Sequence, residues 1–441
     1  MSETLLSVGL DVGTTSTQMV FSRLRIENKA GSFAVPEMEI EERDVIYRSG
    51  VHFTPLLRED RVDAAALRAI VDREYAAAGI DRKNVDTGAI IITGETSRKE
   101  NARAVLEQLS GYAGDFVVAT AGPDLESVLA AKGAGAVAYS EKTGKTVLHM
   151  DIGGGTSNLA LIEDGRITAV SCLTVCGRLL KIAPDGRLSY VSPVVEGIFK
   201  KKTGEVVNRE EVYELCEKLV AALEAAAGLR EEDDLVSNLR TTGAAVFSSP
   251  AGAVLSFSGG VADCIETEQP WLAFGDMGPE LGQAIRRSRL CRGEYMLGAE
   301  TIRATVIGAG SHSAQLSGST VFYQNVAFPL KNLPVVRSVS ELSRLDGAGV
   351  VALQGMAAPD YGKLSALAGQ ILQEFQGGIL ILALEQDMAK ALGQILALRL
   401  GYDAKILCID RVRLPQESYL DVGAPVGPAL PVVVKTLVLN R

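Results

Sequence analysis

The sequence predicts an α/β protein in which two similar domains face one cleft and a third, smaller α/β domain follows them. Short apolar segments alternate with longer segments of helical periodicity, which is typical of a layered sheet covered by helices. One motif occurs twice, at Asp11–Gln18 and again at Asp151–Asn158. A spacing of 140 residues is too long for a solenoid repeat and indicates a duplicated domain.

The first domain is predicted over residues 1–145, with a helix near residues 300–325 completing it. Two apolar strands flank a Gly/Thr turn, and an extended segment follows at Glu39–Tyr47. The segment Asp63–Ala78 has apolar residues at helical spacing and is closed by Gly79, so it predicts a helix. Later elements are a strand at Ala89–Ile92, a helix at Thr96–Leu109, a strand at Phe116–Ala119 and an Ala-rich helix at Asp124–Tyr139.

The second domain is predicted over residues 146–300, and it begins with the same order of strand, glycine turn and strand as the first domain. A strand at Thr146–Met150 leads into a glycine turn, a second strand and a hairpin turn at Asp164-Gly165. A long helix at Arg209–Ala227 and a buried strand at Val254–Phe257 follow. The prolines at Pro329 and Pro334 predict a boundary, and strand–helix alternation after it predicts a third domain over residues 335–441.

Composition excludes several functional classes. The formal net charge is −10 and the pI is about 5.1, whereas a nucleic-acid-binding protein normally presents a basic face. The longest apolar run, Ile379–Leu384, is too short to span a membrane. The N-terminal segment lacks the pattern of a signal peptide and the six cysteines lack the paired spacing of a zinc site, so we expect a cytoplasmic protein with free thiols.

The two glycine turns are candidate phosphate-binding sites. A tight turn without Cβ atoms can direct backbone N–H groups at phosphate oxygens, and hydroxyl groups add further donors. An aspartate precedes each turn, and a carboxylate beside phosphates is a suitable anchor for hydrated Mg²⁺. The alternative interpretation is two ordinary β-hairpins. The candidate residues are Asp11, Gly13, Thr14 and Thr15 in the first turn and Asp151, Gly153, Gly154, Gly155, Thr156 and Ser157 in the second.

Further glycines suggest how a nucleotide and a hinge fit this arrangement. Gly259 and Gly260 end a strand, and their lack of side chains would permit the flat approach of a purine and ribose. The segment Ala304–Gly310 is predicted to be a helix with a face of small residues, and Gly133 and Gly135 offer a similar face. Two such helices crossing at the base of a cleft would form a hinge between the domains.

Taken in order, these elements resemble the sugar kinase, Hsp70 and actin ATPase superfamily. The resemblance places its phosphate 1, connect 1, phosphate 2, adenosine and connect 2 motifs at Asp11–Gln18, Leu125–Tyr139, Asp151–Asn158, Ser256–Val261 and Arg303–Gly310. It implies actin/Hsp70-like ATPase domains that bind ATP and Mg²⁺ between them. Connect 1 departs from the Hsp70-like pattern, because Ala131 stands where an acidic residue is expected, and Glu126 is either a substitute or a surface carboxylate.

Longer phrases, among them GLDVGTTSTQMVFSRL, HMDIGGGTSNLALIEDG and FSGGVADCI, are similar to the ethanolamine ammonia-lyase reactivating factors. That resemblance runs nearly end to end. It implies an ATP-dependent chaperone that releases damaged cobalamin from ethanolamine ammonia-lyase, so that adenosylcobalamin can bind, and it adds an association with a bacterial microcompartment.

Two other functions stay open at this stage. A small-molecule kinase of the same superfold would need a polar substrate pocket, for which the sequence offers no clear candidate. A nucleotide-binding scaffold would not need both Asp11 and Asp151. The third domain is expected to serve the partner protein, with capping of the first domain or formation of a homodimer as the alternative.

Overall fold

The fold is described from a computed structural model of the chain. The described residues are 3–13, 16–28, 38–58, 61–93, 101, 105, 109, 117–120, 123–241, 252–312, 314–316, 321–344, 348–412, 414, 418–423, 425 and 430–436. The helix predicted at Thr96–Leu109 lies almost wholly outside them. Thr14 and Thr15 of the first glycine turn also lie outside them.

The first of the two repeated units, which we call the first half, is built on one mixed sheet. Its elements in chain order are β1 (Glu3–Val12), β2 (Ser16–Asn28), β3 (Met38–Arg48), β4 (His52–Phe53), β5 (Leu56–Arg58), β6 (Arg61–Val62), α1 (Ala64–Ala78), β7 (Thr87–Ile92), β8 (Val117–Thr120), α2 (Pro123–Gly133) and α3 (Ala136–Thr143). Among the described strands the sheet order is β3-β2-β1-β7-β8, and β4 pairs with β2. The first three strands are antiparallel, and β7 and β8 continue the sheet in parallel with β1.

The second repeated unit, which we call the second half, has the same topology. Its elements are β9 (Val147–Ile152), β10 (Ser157–Glu163), β11 (Arg166–Leu173), β12 (Leu180–Ile182), β13 (Leu188–Val191), α4 (Arg209–Ala226), α5 (Asp234–Leu239), β14 (Val254–Ser258), α6 (Asp263–Glu266), α7 (Gly278–Arg287) and β15 (Tyr295–Leu297). The order β11-β10-β9-β14-β15 again combines an antiparallel meander with two parallel strands. The predicted duplication is therefore confirmed in strand order and strand direction.

Local sequence explains where the long helices begin and end. The side chain of Asp63 accepts hydrogen bonds from two backbone N–H groups at the start of α1, and Gly79 ends the helix in the left-handed conformation. Asn208 and Glu211 form a reciprocal capping box at the start of α4. The Ala-rich helix predicted at Asp124–Tyr139 is instead two helices, α2 and α3, because Gly135 adopts a positive φ of 81° between them.

A helix from the later part of the chain crosses α2 behind the two halves. This helix, α8 (Ala304–His312), packs against α2 and against β1 and β7 of the first sheet. The crossing is close: a Cβ atom on Gly133 would lie 1.8 Å from the carbonyl oxygen of Ala304, and one on Gly308 would lie 1.9 Å from that of Leu129. The predicted contact between two small-residue helix faces is therefore observed, and it connects the two halves.

The third unit contains a large mixed sheet. Its elements are β16 (Ala314–Leu316), β17 (Val321–Gln324), β18 (Leu330–Val336), β19 (Gly349–Leu353), α9 (Tyr361–Glu374), β20 (Ile379–Leu384), α10 (Ala389–Leu400), β21 (Lys405–Ile409), β22 (Ser418–Val422) and β23 (Pro431–Thr436). In the described part of the chain the order is β16-β23-β22-β18-β19-β20-β21-β17. Helices α9 and α10 pack on one face of the sheet through an apolar core.

The boundary predicted at residue 335 needs correction. Strand β18 runs through Pro334 and lies between β22 and β19 in the middle of the third sheet. Strands β16 and β17, which precede it in the chain, belong to the same sheet. The proline-rich segment is therefore part of a strand, and the third unit begins near Ala314. None of the helices in the described residues is long and apolar enough to cross a membrane.

Candidate functional site

A cavity of about 620 Å³ lies between the first and second halves. Its wall includes both repeated motifs and the glycines that follow β14. Of the residues predicted to form the site, the cavity is lined by Asp11, Gly13, Asp151, Gly153, Gly154, Gly155, Thr156, Gly259 and Gly260. The duplication thus brings two distant parts of the sequence to one cleft.

An equivalent backbone hydrogen bond spans each of the two hairpin turns. The backbone N–H of Gly13 donates to the carbonyl oxygen of Ser16 over 2.9 Å, and that of Gly153 donates to the carbonyl oxygen of Thr156 over 3.0 Å. Ser157 does not belong to the cavity wall. Its buried hydroxyl donates to the carbonyl oxygen of Val175 over 2.6 Å, so the predicted role as a side-chain phosphate ligand is corrected.

Asp11 stands near the end of β1 and is held by a neighbouring strand. The hydroxyl of Thr93, directly after β7, donates to Asp11 Oδ1 over 2.9 Å. Burial is the main reason that the pKa of Asp11 is raised to about 7; the Thr93 hydrogen bond opposes this shift and the charge of Asp151 adds to it. A neighbouring carboxylate that faces the same cleft is expected to raise the pKa of Asp11 in this direction.

Asp151 occupies the equivalent position in the second half. Its Oδ1 accepts a hydrogen bond of 2.5 Å from the hydroxyl of Ser258, at the end of the adjacent strand β14. Burial raises the pKa of Asp151 to about 6, against the opposing effect of hydrogen bonds from Ser258 and Asn158. Each carboxylate is therefore oriented by a hydroxyl that comes from the neighbouring parallel strand.

An amide side chain lies beside each carboxylate. Gln18 is the cross-strand partner of Asp11 in β2, and Asn158 is that of Asp151 in β10. Both amides line the cavity, and among the described residues neither side-chain oxygen, each of them buried, has a hydrogen-bond partner. A buried acceptor beside each carboxylate suits a donor or a cation bound in the cavity.

The remaining charges in the cavity are strongly unbalanced. Arg178, which follows a glycine whose N–H is bonded to Gly153, is the one side chain of fixed positive charge among the described lining residues. Its Nε lies 3.1 Å from Oδ2 of Asp276. The carboxylates in the same wall are Asp11, Glu126, Asp151, Asp263 and Asp276. Cations would offset the repulsion between a polyphosphate and this acidic wall.

The third glycine turn is constrained by its neighbours. Gly259 has a positive φ of 85°, and a Cβ atom there would lie 2.3 Å from the carbonyl oxygen of Ile152. The turn therefore packs directly on the strand that carries Asp151. Ala131 is completely buried, whereas Glu126 lines the cavity, so in the segment predicted as connect 1 the described residue that reaches the cleft is Glu126.

Sequence reasoning did not assign Thr93 or Arg178 to the site, and it placed Ser258 in the adenosine motif without pairing it with Asp151. Thr93 and Ser258 reach the carboxylates from strands that are 82 and 107 residues away, and a single sequence carries no signal for that pairing. Gln18 and Asn158 could have been found, because each faces its aspartate across a two-stranded hairpin of short turn length.

Comparisons with known proteins agree on one family. The family described as Ethanolamine utilisation protein EutA matches residues 3–348 and 341–440. The ethanolamine ammonia-lyase reactivase EutA of Salmonella typhimurium is 37% identical over 471 residues, covering 98% of each chain. The Escherichia coli (strain K12) protein of the same name is 38% identical over 462 residues, again covering 98% of each chain.

Solved structures show weaker similarity. Ethanolamine utilization protein EutJ from Carboxydothermus hydrogenoformans is 16% identical with a TM-score of 0.36, over 69% of this chain and 89% of that chain. Because the family match spans nearly all of the sequence and both curated relatives exceed 30% identity, this chain belongs to the EutA family of ethanolamine utilisation proteins.

Proposed function

We propose that the protein is a Mg²⁺-dependent ATPase that reactivates ethanolamine ammonia-lyase. It would release damaged cobalamin from that enzyme and so allow adenosylcobalamin to take its place. Membership of the EutA family supports the proposal, as does the reactivase name of the two curated relatives. We further propose that it acts in the cytoplasm, in association with a bacterial microcompartment.

The observation that carries the proposal is the meeting of two matched hairpins at one cavity. ATP would lie with its phosphates against the backbone of Gly13 and of Gly153–Thr156, and with its adenosine near Gly259 and Gly260. Asp11 and Asp151 would then face the terminal phosphate from opposite halves. Phosphoryl transfer depends mainly on such positioning and on charge stabilisation.

The oxygen-rich wall suits Mg²⁺. Two carboxylates and two unpartnered amide oxygens, those of Gln18 and Asn158, offer the hard oxygen ligands that this ion prefers. No group of three or more His, Cys, Asp or Glu side chains gathers into a metal site within the described residues. The two carboxylates and two amide oxygens fit an ion that keeps several of its own waters and takes only one or two carboxylates.

When bound, Mg²⁺ would neutralise phosphate charge and help to orient the attacking water. The protein's own groups do the rest. Asp11 and Asp151 would hold the ion and its waters, the hydroxyls of Thr93 and Ser258 keep these carboxylates oriented, and the glycine turns would lie against the phosphates. The raised pKa values of both aspartates would fall once a divalent cation stands beside them.

The test is recovery of lyase activity. Inactivated ethanolamine ammonia-lyase is mixed with this protein, ATP, Mg²⁺ and adenosylcobalamin, and ammonia release is followed. We expect recovery with the wild type and a loss of about 10²-fold or more in ATP hydrolysis and in recovery with Asp11→Asn or Asp151→Asn. Asp185→Asn, at an exposed carboxylate of the second half, is the matched control.

Two outcomes would reject the proposal. Recovery that is independent of ATP would contradict a role of hydrolysis, and unchanged hydrolysis in both cavity variants would contradict the assigned site. Measuring ADP release with and without candidate sugars separates this function from that of a small-molecule kinase.

A further inference from the structure

A continuous chain of buried polar side chains leads to Asp151 from the interior of the second half. His149 and Asp151 stand two residues apart on β9 and therefore point to the same face of the sheet. Ser256 and Ser258 stand two residues apart on β14, and the parallel register pairs Ser256 with His149 and Ser258 with Asp151. The two strands thus place four polar side chains on one face.

The contacts within this group are complete. His149 Nδ1 lies 3.0 Å from Ser256 Oγ, and His149 Nε2 lies 2.9 Å from Ser258 Oγ. Ser258 Oγ in turn donates to Asp151 Oδ1 over 2.5 Å. His149, Ser256 and Ser258 are completely buried, and Asp151 is 6% exposed. Of these four side chains, Asp151 alone lines the cavity.

The direction of the hydrogen bonds follows from the carboxylate at the end of the chain. A carboxylate that anchors a cation can only accept, so the proton of the Ser258 hydroxyl points to Asp151. The oxygen of Ser258 must then accept from His149, which requires a proton on Nε2. His149 Nδ1 is left as an acceptor and takes the proton of Ser256. The imidazole is therefore a neutral Nε2–H tautomer with both nitrogens used.

A buried polar network at this position lowers the stability of the fold unless each of its groups is hydrogen-bonded. On the same face of the sheet, Val147 of β9 and Val254 of β14 belong to an apolar cluster with Ala131 and Ala136, and apolar side chains at positions 149, 256 and 258 would leave no buried polar atoms to satisfy. Buried polar groups cost stability unless every partner is present. What the network provides in exchange is a fixed donor on one oxygen of Asp151.

We propose that Ser256, His149 and Ser258 form a positioning relay that fixes the orientation of the Asp151 carboxylate for the cation. This inference rests on the proposed function, because it takes Asp151 as an anchor for Mg²⁺. The relay holds Oδ1 on the protein side, which leaves the second oxygen for the cavity. Neither His149 nor Ser256 touches the nucleotide or the ion.

The first test measures cation binding directly. Mn²⁺ binding to the ADP complex is followed by electron paramagnetic resonance, which requires neither turnover nor the lyase. We expect Ser258→Ala to weaken Mn²⁺ binding about 10-fold, in line with the loss of one charge-assisted hydrogen bond, and His149→Phe, which keeps that bond but removes its support, to weaken it by a smaller factor. We expect Ser258→Thr, which keeps the hydroxyl, to restore most of the affinity. Unchanged Mn²⁺ binding in a folded Ser258→Ala protein would overturn the relay.

The second test needs only the wild-type protein. In a sample with ¹⁵N-labelled histidine, the two-bond nitrogen–proton correlations identify the tautomer of each ring. The relay requires the Nε2–H tautomer at His149, and an Nδ1–H tautomer would overturn it even if every variant failed to fold. Absence of any Mn²⁺ binding in the wild type would instead contradict the proposed function, while the tautomer would still decide the direction of the relay.

Discussion

The paired carboxyl groups in the cavity give the folding stability a specific dependence on pH. Burial is the largest cause that raises the pKa of Asp11 to about 7 and that of Asp151 to about 6. A raised pKa means that the native protein holds these protons more tightly than the unfolded chain does. Their stabilising contribution is fully present below the ordinary value of 3.8 and is lost as the pH rises through the raised values.

We therefore expect the free energy of unfolding of the metal-free wild type to fall relative to an Asp11→Asn/Asp151→Asn double variant as the pH rises from about 4 to about 8. The relative change should be on the order of a few kcal/mol. Denaturant unfolding at a series of pH values measures both proteins, and their difference removes the effect of all other groups. Parallel pH profiles for the two proteins would contradict the raised pKa values.

Arg178 offers a second prediction at this scale. It is the one fixed positive charge among the described cavity residues, and Asp276 holds it through Nε. We expect Arg178→Ala to weaken binding of Mg²⁺-ADP about 10- to 100-fold, the usual effect of losing a charge-assisted hydrogen bond in a partly buried site. Calorimetry measures the affinity, with Arg187→Ala at an exposed arginine as the control. Equal losses in the two variants would contradict the role of Arg178.

The site was predictable from sequence where it depends on local pattern. The repeated motif predicted that Asp11 and Asp151 face one cleft, and both line the cavity. Their roles in hydrolysis stay predictions. The hydroxyls of Thr93 and Ser258 depend on which strands lie side by side, and parallel pairing over such long separations leaves no local signal in one sequence.

At the scale of elements, helices α2 and α8 cross more closely than any other pair of helices in the described residues. The glycines at positions 133 and 308 leave room for the carbonyl oxygens of Ala304 and Leu129. We expect Gly133→Ala or Gly308→Ala to destabilise the protein by about 3 kcal/mol or to separate the helices, because a backbone oxygen cannot yield as a flexible side chain can. Thermal unfolding of each variant measures the loss.

Gly369→Ala is the matched control for this prediction. Gly369 lies inside α9, and the nearest atom to a Cβ there is the side-chain Nη1 of Arg399 at 3.6 Å. Alanine should fit and raise helix stability by up to about 1 kcal/mol. If Gly133→Ala and Gly308→Ala behaved like this control, the close crossing of α2 and α8 would be wrong.

Elements with strong end signals were predictable, and elements that depend on tertiary pairing were not. The caps at Asp63 and Gly79 marked α1 to within one residue. The break at Gly135 was missed because a glycine in an Ala-rich segment is compatible with a continuous helix. Pro334 was interpreted as a boundary, yet its pairing with Tyr419 in the antiparallel ladder makes it part of β18. A proline in a strand is tolerated where its missing N–H is not needed for pairing.

At the scale of the whole molecule, the contact that determines which parts move together joins the third unit to the first half. Strand β23 lies against β8, at the edge of the first sheet, and β16 connects directly to α8. In the described residues no comparable contact joins the third sheet to β15, the corresponding edge of the second half. The third unit should therefore move with the first half when nucleotide closes the cleft about the crossing of α2 and α8.

This arrangement leads to a prediction about motion. We expect the distance between the third unit and the second half to change by several ångströms when Mg²⁺-ATP binds, while the distance to the first half stays constant. Cysteines introduced at the exposed positions Tyr402, Tyr190 and Leu57 report on the three parts, since every native cysteine is buried. Energy transfer between dyes at 402 and 190 should then respond to nucleotide, and transfer between 402 and 57 should not. The reverse result would place the hinge between the first half and the third unit.

Movement of the third unit relative to the second half would let closure of the cleft act on a lyase held by the third unit, which remains our prediction for the role of that unit.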